Sequence, residues 1–262
     1  MASTITATIW SKGPNSIKPN KMPPEYELLH IDVLKEVNRI PNAQITLRDG
    51  DSAKKEFKVS NTSFFVPGQE ITIQLRYEGK NDETIFKGIV VKHIVEASLS
   101  QSCLNIYLKD VAIELTTERK NAVFPKKPGN KITDRQIIKD ILDAHESVKK
   151  GDIANTAVEH AEMVQFYCTD WDFILTRADA NGLWVVANDG KITVMSPELL
   201  GSDLRGHVSL KASYGQTVMY EFEMEADIQR QSGAVQSQAW NTKAQKLSKS
   251  TQAKDDYSLA CN

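Results

Sequence analysis

The sequence predicts a mainly β protein carrying an α+β insertion, and three observations point there. Short runs of alternating apolar and polar residues, separated by turn signals, run from Tyr26 to about Leu115. Two segments of helical periodicity and a hairpin pattern follow after Lys120. Alternation returns from 206, which reads as the start of a second β-domain.

Residues 1–25 are polar and interrupted by Gly13-Pro14, Pro19 and Pro23-Pro24, so apart from one candidate first strand they read as an extended arm. Strand patterns follow at 27–33, 42–48, 70–77, 84–96 and 103–109. Ala43, Ile45 and Leu47 alternate with Gln44, Thr46 and Arg48 before a turn at Asp49-Gly50-Asp51. Val66-Pro67-Gly68-Gln69 forms a second tight turn, just ahead of the alternating Ile71, Ile73 and Leu75. Closely spaced antiparallel strands of this kind make a small barrel or a sandwich.

Beyond Lys120 the character changes, with Pro125, Pro128 and Gly129 breaking the strand pattern. Thr133-Asp134-Arg135-Gln136 offers a capping box, and Ile137, Ile138, Ile141 and Leu142 make one apolar helix face, closed by Lys149-Lys150-Gly151. After a polar stretch comes the most informative segment, Gln165 to Gly182. Thr169 stands at an N-cap, Asp170 and Asp172 meet the positive end of the helix dipole, and Asn181-Gly182 supplies a left-handed stop. Trp171, Ile174, Leu175 and Ala178 recur at the spacing of one buried face. Leu183 to Val194 then reads as a hairpin turning at Asn188-Asp189-Gly190-Lys191. In the second β-domain the alternating runs are 208–211 and 218–224. Residues 232–262 are rich in Ser, Gln, Lys and Ala and show no strand pattern, with Trp240 and Leu247 as isolated anchors.

Composition excludes several classes. A formal charge of −2 and a pI near 6.2 leave no global basic field, and the doublets Lys54-Lys55, Lys126-Lys127 and Lys149-Lys150 lack interleaved aromatics, so no nucleic-acid partner is expected. No run of about 18 apolar residues occurs. The N-terminus lacks a basic n-region and so carries no signal peptide, which reads as a soluble protein made in the cytoplasm. Cys103, Cys168 and Cys261 form no CxxC pair; Cys103 reads as strand packing and Cys168 as the turn before a helix.

His160-Ala161-Glu162 matches half of a zinc deaminase signature, but the Pro-Cys-x-x-Cys half is missing, and the segment reads as solvated. His30, His93, His145 and His207 have no metal-ligand spacing. Asp170, Asp172 and Asp179 resemble a carboxylate cluster, yet the helix dipole accounts for the first two and solvent for the third. Nucleophile-elbow, P-loop and dinucleotide fingerprints are absent from the sequence. No catalytic, cofactor-binding or metal residue and no cofactor are expected, and the chain reads as a non-enzyme.

Four blocks carry a family resemblance: Val37 to Asp51, Phe65-Val66-Pro67-Gly68, Ile85 to His93, and Thr169-Asp170-Trp171-Asp172-Phe173. Together, in order from about Tyr26 to Val194, they resemble VgrG, the spike protein of type VI secretion systems, with relatives in extracellular contractile injection systems and phage baseplate hubs. The resemblance implies two related antiparallel β-barrels flanking an α/β segment, with the first barrel at 26–118, the intervening segment at 119–205, and an incomplete second barrel and tail from 206. It marks Asp49, Gly50, Asp51, Pro67, Gly68, Phe86, Gly88, Thr169, Asp170, Trp171, Phe173, Arg177 and Gly182 as structural motif residues. It also implies a homotrimer that adapts a hexameric inner tube to a threefold spike, beside baseplate and sheath components, a needle or tip protein and effectors. Such a particle is assembled in the cell and delivers its spike and cargo outside on firing. Family members continue into a further barrel and a β-helical needle, neither of which is visible in this sequence, so the chain reads as the front of a longer protein or the partner of a separate needle. A scaffold carrying a hydrolase-type effector and a carbohydrate-binding β-module are the alternative readings.

Overall fold

The computed structural model describes residues 5–14, 16–50, 56–77, 79–97, 102–127, 129–197, 234–238, 240–242, 244–248 and 251–254. The chain separates into two units, Met1–Gly201 and Ser202–Asn262. The mainly β expectation holds.

In the first unit, seven strands form one antiparallel sheet: β1 (Ile5–Lys12), β2 (Asn20–Lys21), β3 (Leu28–Leu34), β4 (Asn42–Arg48), β5 (Glu70–Tyr77), β6 (Glu83–Ala97) and β7 (Ser102–Lys109). Their order is β2-β1-β5-β6-β7-β4-β3, so the ladder is open among the described residues, with β2 and β3 at its ends. The long strand β6 explains the sheet's shape. Its first half, Glu83 to Ile89, pairs with β5, and its second half, Ile89 to Ala97, pairs with β7. The sheet therefore folds over near Gly88. A Cβ added at Gly88 would lie 2.2 Å from the Lys109 carbonyl oxygen, so only glycine lets β6 and β7 approach this closely. Ile9, Ile71, Ile73 and Phe86 from one half meet Ile45, Leu47, Leu104, Ile106 and Leu108 from the other in a single core.

The candidate first strand of the N-terminal segment is present: residues 5–12 all pair with β5, and Ile9 is fully buried. The prolines that suggested an arm lie after this strand, whose buried residues are Thr8, Ile9 and Ser11.

A 3₁₀ turn, Val111–Thr116, leads from the sheet into the insertion. There follow β8 (Arg119–Phe124), β9 (Ile132–Thr133), α1 (Asp134–Leu142), β10 (Lys149–Ile153), β11 (Glu159–His160), β12 (Met163–Thr169), α2 (Asp170–Asp179), β13 (Trp184–Asn188) and β14 (Lys191–Met195). Both helices start where the caps place them: the Thr133 and Thr169 hydroxyls accept from the N–H groups of Gln136 and Asp172, at 3.3 and 3.1 Å. The β13–β14 turn puts Asp189 and Gly190 at φ of 52° and 79°, the conformation that a two-residue hairpin of this type requires. Ile137, Ile138, Ile141, Trp171, Phe173, Ile174 and Ala178 join β13 and β14 in a second core, with Leu175 partly buried against it.

Two readings of this region are corrected. Helix α1 ends at Leu142 with Asp143 as its cap, and Lys149-Lys150-Gly151 opens a strand that pairs in parallel with β14. The residues before the second helix form β12, paired with β8, so Cys168 lies in a strand and not in a turn. β12 escapes an apolar-inward pattern because its exposed positions include Val164 and Phe166 while Gln165 is buried.

In the second unit the expectation of no strand pattern also fails. Antiparallel pairs join β15 (Ala234–Ser237) to β18 (Thr251–Lys254) and β16 (Trp240–Asn241) to β17 (Lys246–Leu247), nested as one hairpin. Trp240 and Leu247 face each other across it and are exposed. The alternating runs at 208–211 and 218–224, and His207, lie outside the described residues. Among the described residues no helix is long and apolar enough to cross a membrane.

Candidate functional site

The motif residues of the sheet hold its loops. Asp49 is buried, and its carboxylate accepts from the N–H groups of Gly50, Val59 and Ser60 at 3.0, 2.9 and 2.8 Å. It thus fastens the residues after β4 to a loop ten residues further on. Gly50 has φ of 107°, while Asp51 lies outside the described residues. Pro67 precedes Gly68, whose φ of 92° and N–H bond to the Val90 carbonyl, 2.8 Å, seat the turn against β6. Phe86 is wholly buried in the folded sheet, one residue pair from Gly88.

The motif residues of α2 converge on two buried aspartates, and the two sites share one design. Each helix begins Thr-Asp, and each aspartate takes a histidine, a cation and a carboxamide. Asp170, 3% exposed, receives Lys120 Nζ at 2.6 Å and His145 Nε2 at 2.7 Å on one oxygen, and Gln165 Nε2 at 2.9 Å on the other. Asp134, 2% exposed, receives His160 Nε2 at 3.1 Å and Asn181 Nδ2 at 2.9 Å on Oδ2. Arg177 Nε lies 2.9 Å from its Oδ1 in an ion pair whose angle is off the hydrogen-bond direction, so the attraction is coulombic. Arg177 and Asn181 belong to the C-terminal end of α2 and Asp170 to its start, so both ends of the helix are tied. Gly182, at φ of 64°, ends the segment as expected.

One of the three acids differs from its expected role. Asp172 and Asp179 are exposed, but Asp170 is a buried anchor and not a solvated dipole partner. His160, read as solvated, is engaged by Asp134. The partners Lys120, His145, Gln165 and Asn181 escape sequence reasoning because they come from other elements; the repeated Thr-Asp start is the only local signal. Beside Asp170 a cleft of about 240 Å³ is lined by Glu114, Glu118, Lys120 and His145. Among the described residues no group of three or more His, Cys, Asp or Glu is placed to hold a metal.

Burial pushes the Asp170 carboxyl up, but hydrogen bonds from Lys120, Gln165 and His145 outweigh it and hold it below the ordinary carboxylate range. A folded-state value below the unfolded one adds stability that is complete above the unfolded value and is lost as pH falls through the folded one. Asp170→Asn is therefore expected to flatten the acid limb of a stability–pH curve below about pH 4, measured by urea unfolding. Parallel curves for the two proteins would contradict the assignment.

One surface is unlike the rest. The outer face of the two-stranded β8–β12 sheet exposes Val123, Val164, Phe166 and Tyr167, with Phe166 80% exposed. A register shift lies between Gln165 and Cys168, and Tyr167 adopts φ of 44°. Asn121 Oδ1 accepts the Tyr167 N–H at 2.8 Å, and Arg119 donates to its carbonyl at 3.2 Å while lying over its ring.

The chain is similar in fold to solved phage tail proteins. A tail protein from Neisseria meningitidis MC58 is 12% identical, with a TM-score of 0.61 over 97% of this chain and 68% of that one. Prophage tail protein gp18 from Listeria monocytogenes EGD-e is 9% identical, with a TM-score of 0.60 over 95% of this chain and 68% of its own. The E. coli c3393 protein, described as a component of the type VI secretion system with structural similarity to T4 bacteriophage tail proteins gp27 and gp5, is 15% identical. Its TM-score is 0.49, over 70% of this chain and 47% of that one. The fold is that of phage tail proteins. The chain belongs to the Alg8 N-terminal domain family, whose model matches residues 3–262. No curated protein matches it.

Proposed function

We propose that this protein is a non-enzymatic, VgrG-like hub of a contractile injection machine, forming a homotrimer that adapts a hexameric inner tube to a threefold spike. The observation that carries this reading is the tail-protein fold, shared over 97% of the chain with the Neisseria protein. The open ends of the seven-stranded ladder support it. Unpaired strand edges invite association, and a ring in which neighbouring subunits cover each other's edges removes that hazard. In this reading residues 26–118, together with β1, form the first barrel-like domain, closed by neighbours. Residues 119–205 form the intervening segment, and 206 onward begins a second related barrel. The marked motif residues, from Asp49 to Gly182, are structural: they hold loops and helix ends and perform no chemistry. The trimer is assembled in the cytoplasm, meets the tube, baseplate and sheath, and carries a needle or tip with its cargo outward on contraction.

Native mass spectrometry of the full chain tests the reading. A mass of three chains, and capture of the trimer by tube rings, are the expected results. A strictly monomeric protein that ignores tube rings and binds glycans would overturn it.

A further inference from the structure

The first unit contains two separate apolar cores, one inside the folded sheet and one in the insertion. Ile40 and the 3₁₀ turn supply apolar contact on the side of the insertion core, and polar joints among the described residues converge on one hairpin. Gly190, in the β13–β14 turn, donates its N–H to Asp110 Oδ2 at 2.9 Å. The other oxygen of Asp110 accepts from Ala112 N–H at 2.8 Å, and the Asp110 N–H donates to the Pro41 carbonyl at 2.9 Å. This one buried residue therefore fastens the end of β7 and the approach to β4 to the hairpin.

Asp189, the other turn residue, accepts the Lys87 N–H of β6 at 3.0 Å and lies 3.4 Å from Lys35 Nζ. Lys35 also donates to Asn188 Oδ1 at 2.5 Å. Farther along, Asn38 treats β13 as a strand neighbour would. Its N–H donates to the Val185 carbonyl, and its Oδ1 accepts the Val185 N–H, both at 2.8 Å.

We propose that this clasp is a mechanical coupling joint: the β13–β14 turn, seated on Asp110, Lys35 and the backbone of Lys87, makes the folded sheet and the insertion core open as one cooperative body. Apolar contacts can slide with little loss, because burial is non-directional. Hydrogen bonds are short and angular, and they fail over a fraction of an ångström to one ångström. The two bonds to the Asp110 carboxylate are buried, where a low dielectric strengthens them. Shear between the cores is therefore resisted by the clasp, and its release separates them. The inference holds whether or not the chain serves an injection machine.

Asn38 and Asp189 both have positive φ, 60° and 52°, which glycine adopts freely, so N38G/D189G removes the side-chain acceptors while keeping the backbone path. The experiment is hydrogen exchange with mass spectrometry on the full chain across a urea series, following β4 and β7 amides against α2 amides. Wild type is expected to show one shared midpoint. In N38G/D189G the two sets should separate by more than about 0.5 M urea, with a shallower slope for each. D179A, at an exposed position of α2, should keep the single transition. If the double variant does not fold, K35M decides: a smaller separation of the two sets supports the joint. Separate midpoints in wild type, or a single unchanged midpoint in the folded variant, would overturn it.

Discussion

Replacing Trp171 with alanine is expected to destabilise the first unit by about 3–5 kcal/mol. Trp171 is 5% exposed and sits on the inward face of α2 within the insertion core, beside Phe173 and Ile174 in the same helix turn. Truncation removes the largest side chain of that face and leaves a cavity that α2 cannot collapse into, because Asp134 and Asp170 tie both of its ends. Two terms then add: lost transfer of the indole and the unfilled volume. Trp171→Phe should recover most of the loss. Urea unfolding followed by circular dichroism measures both, and a loss well under 1 kcal/mol for the alanine variant would refute the placement.

Asp134→Ala is expected to cost about 3 kcal/mol, for a different reason. Its carboxylate answers Arg177, His160 and Asn181, and the first two are only 15% and 18% exposed. Removing it leaves a guanidinium largely out of water without its counter-charge and an amide donor without an acceptor. The diagnostic is non-additivity. Asp134→Ala combined with Arg177→Met should lose less than the sum of the two single variants, since removing both partners of a buried pair is far milder than removing one. Additive losses in a double-mutant cycle would show that the two side chains do not interact.

Local chemistry made much of this architecture legible. The Thr133 and Thr169 caps need only the next three residues, so both helix starts could be read directly. The alternation in β4 and β5 and the Asp189-Gly190 turn are likewise properties of a few neighbouring positions. Strand β10 was opaque because Lys-Lys-Gly-Asp-Ile has no pattern of its own and is ordered by parallel pairing with β14, about forty residues away. Strand β12 was hidden for another reason, its exposed face carrying Val164 and Phe166 while Gln165 is buried. The acidic residues show the limit most clearly. Asp170 looks alike in sequence whether it faces water or a lysine, a histidine and a glutamine brought from three other places in the chain.

The amino-acid sequence by itself determined the periods, caps and turns, and with them a mainly β chain carrying a helical insertion. Only tertiary structure decided that the sheet folds over at Gly88, that Ile5–Lys12 pairs with β5, and that Asp110, Asp134 and Asp170 are joints and not surface charges. The division follows from range: hydrogen bonds within a turn are set by adjacent residues, whereas the burial and partners of a charge depend on which distant segments pack around it.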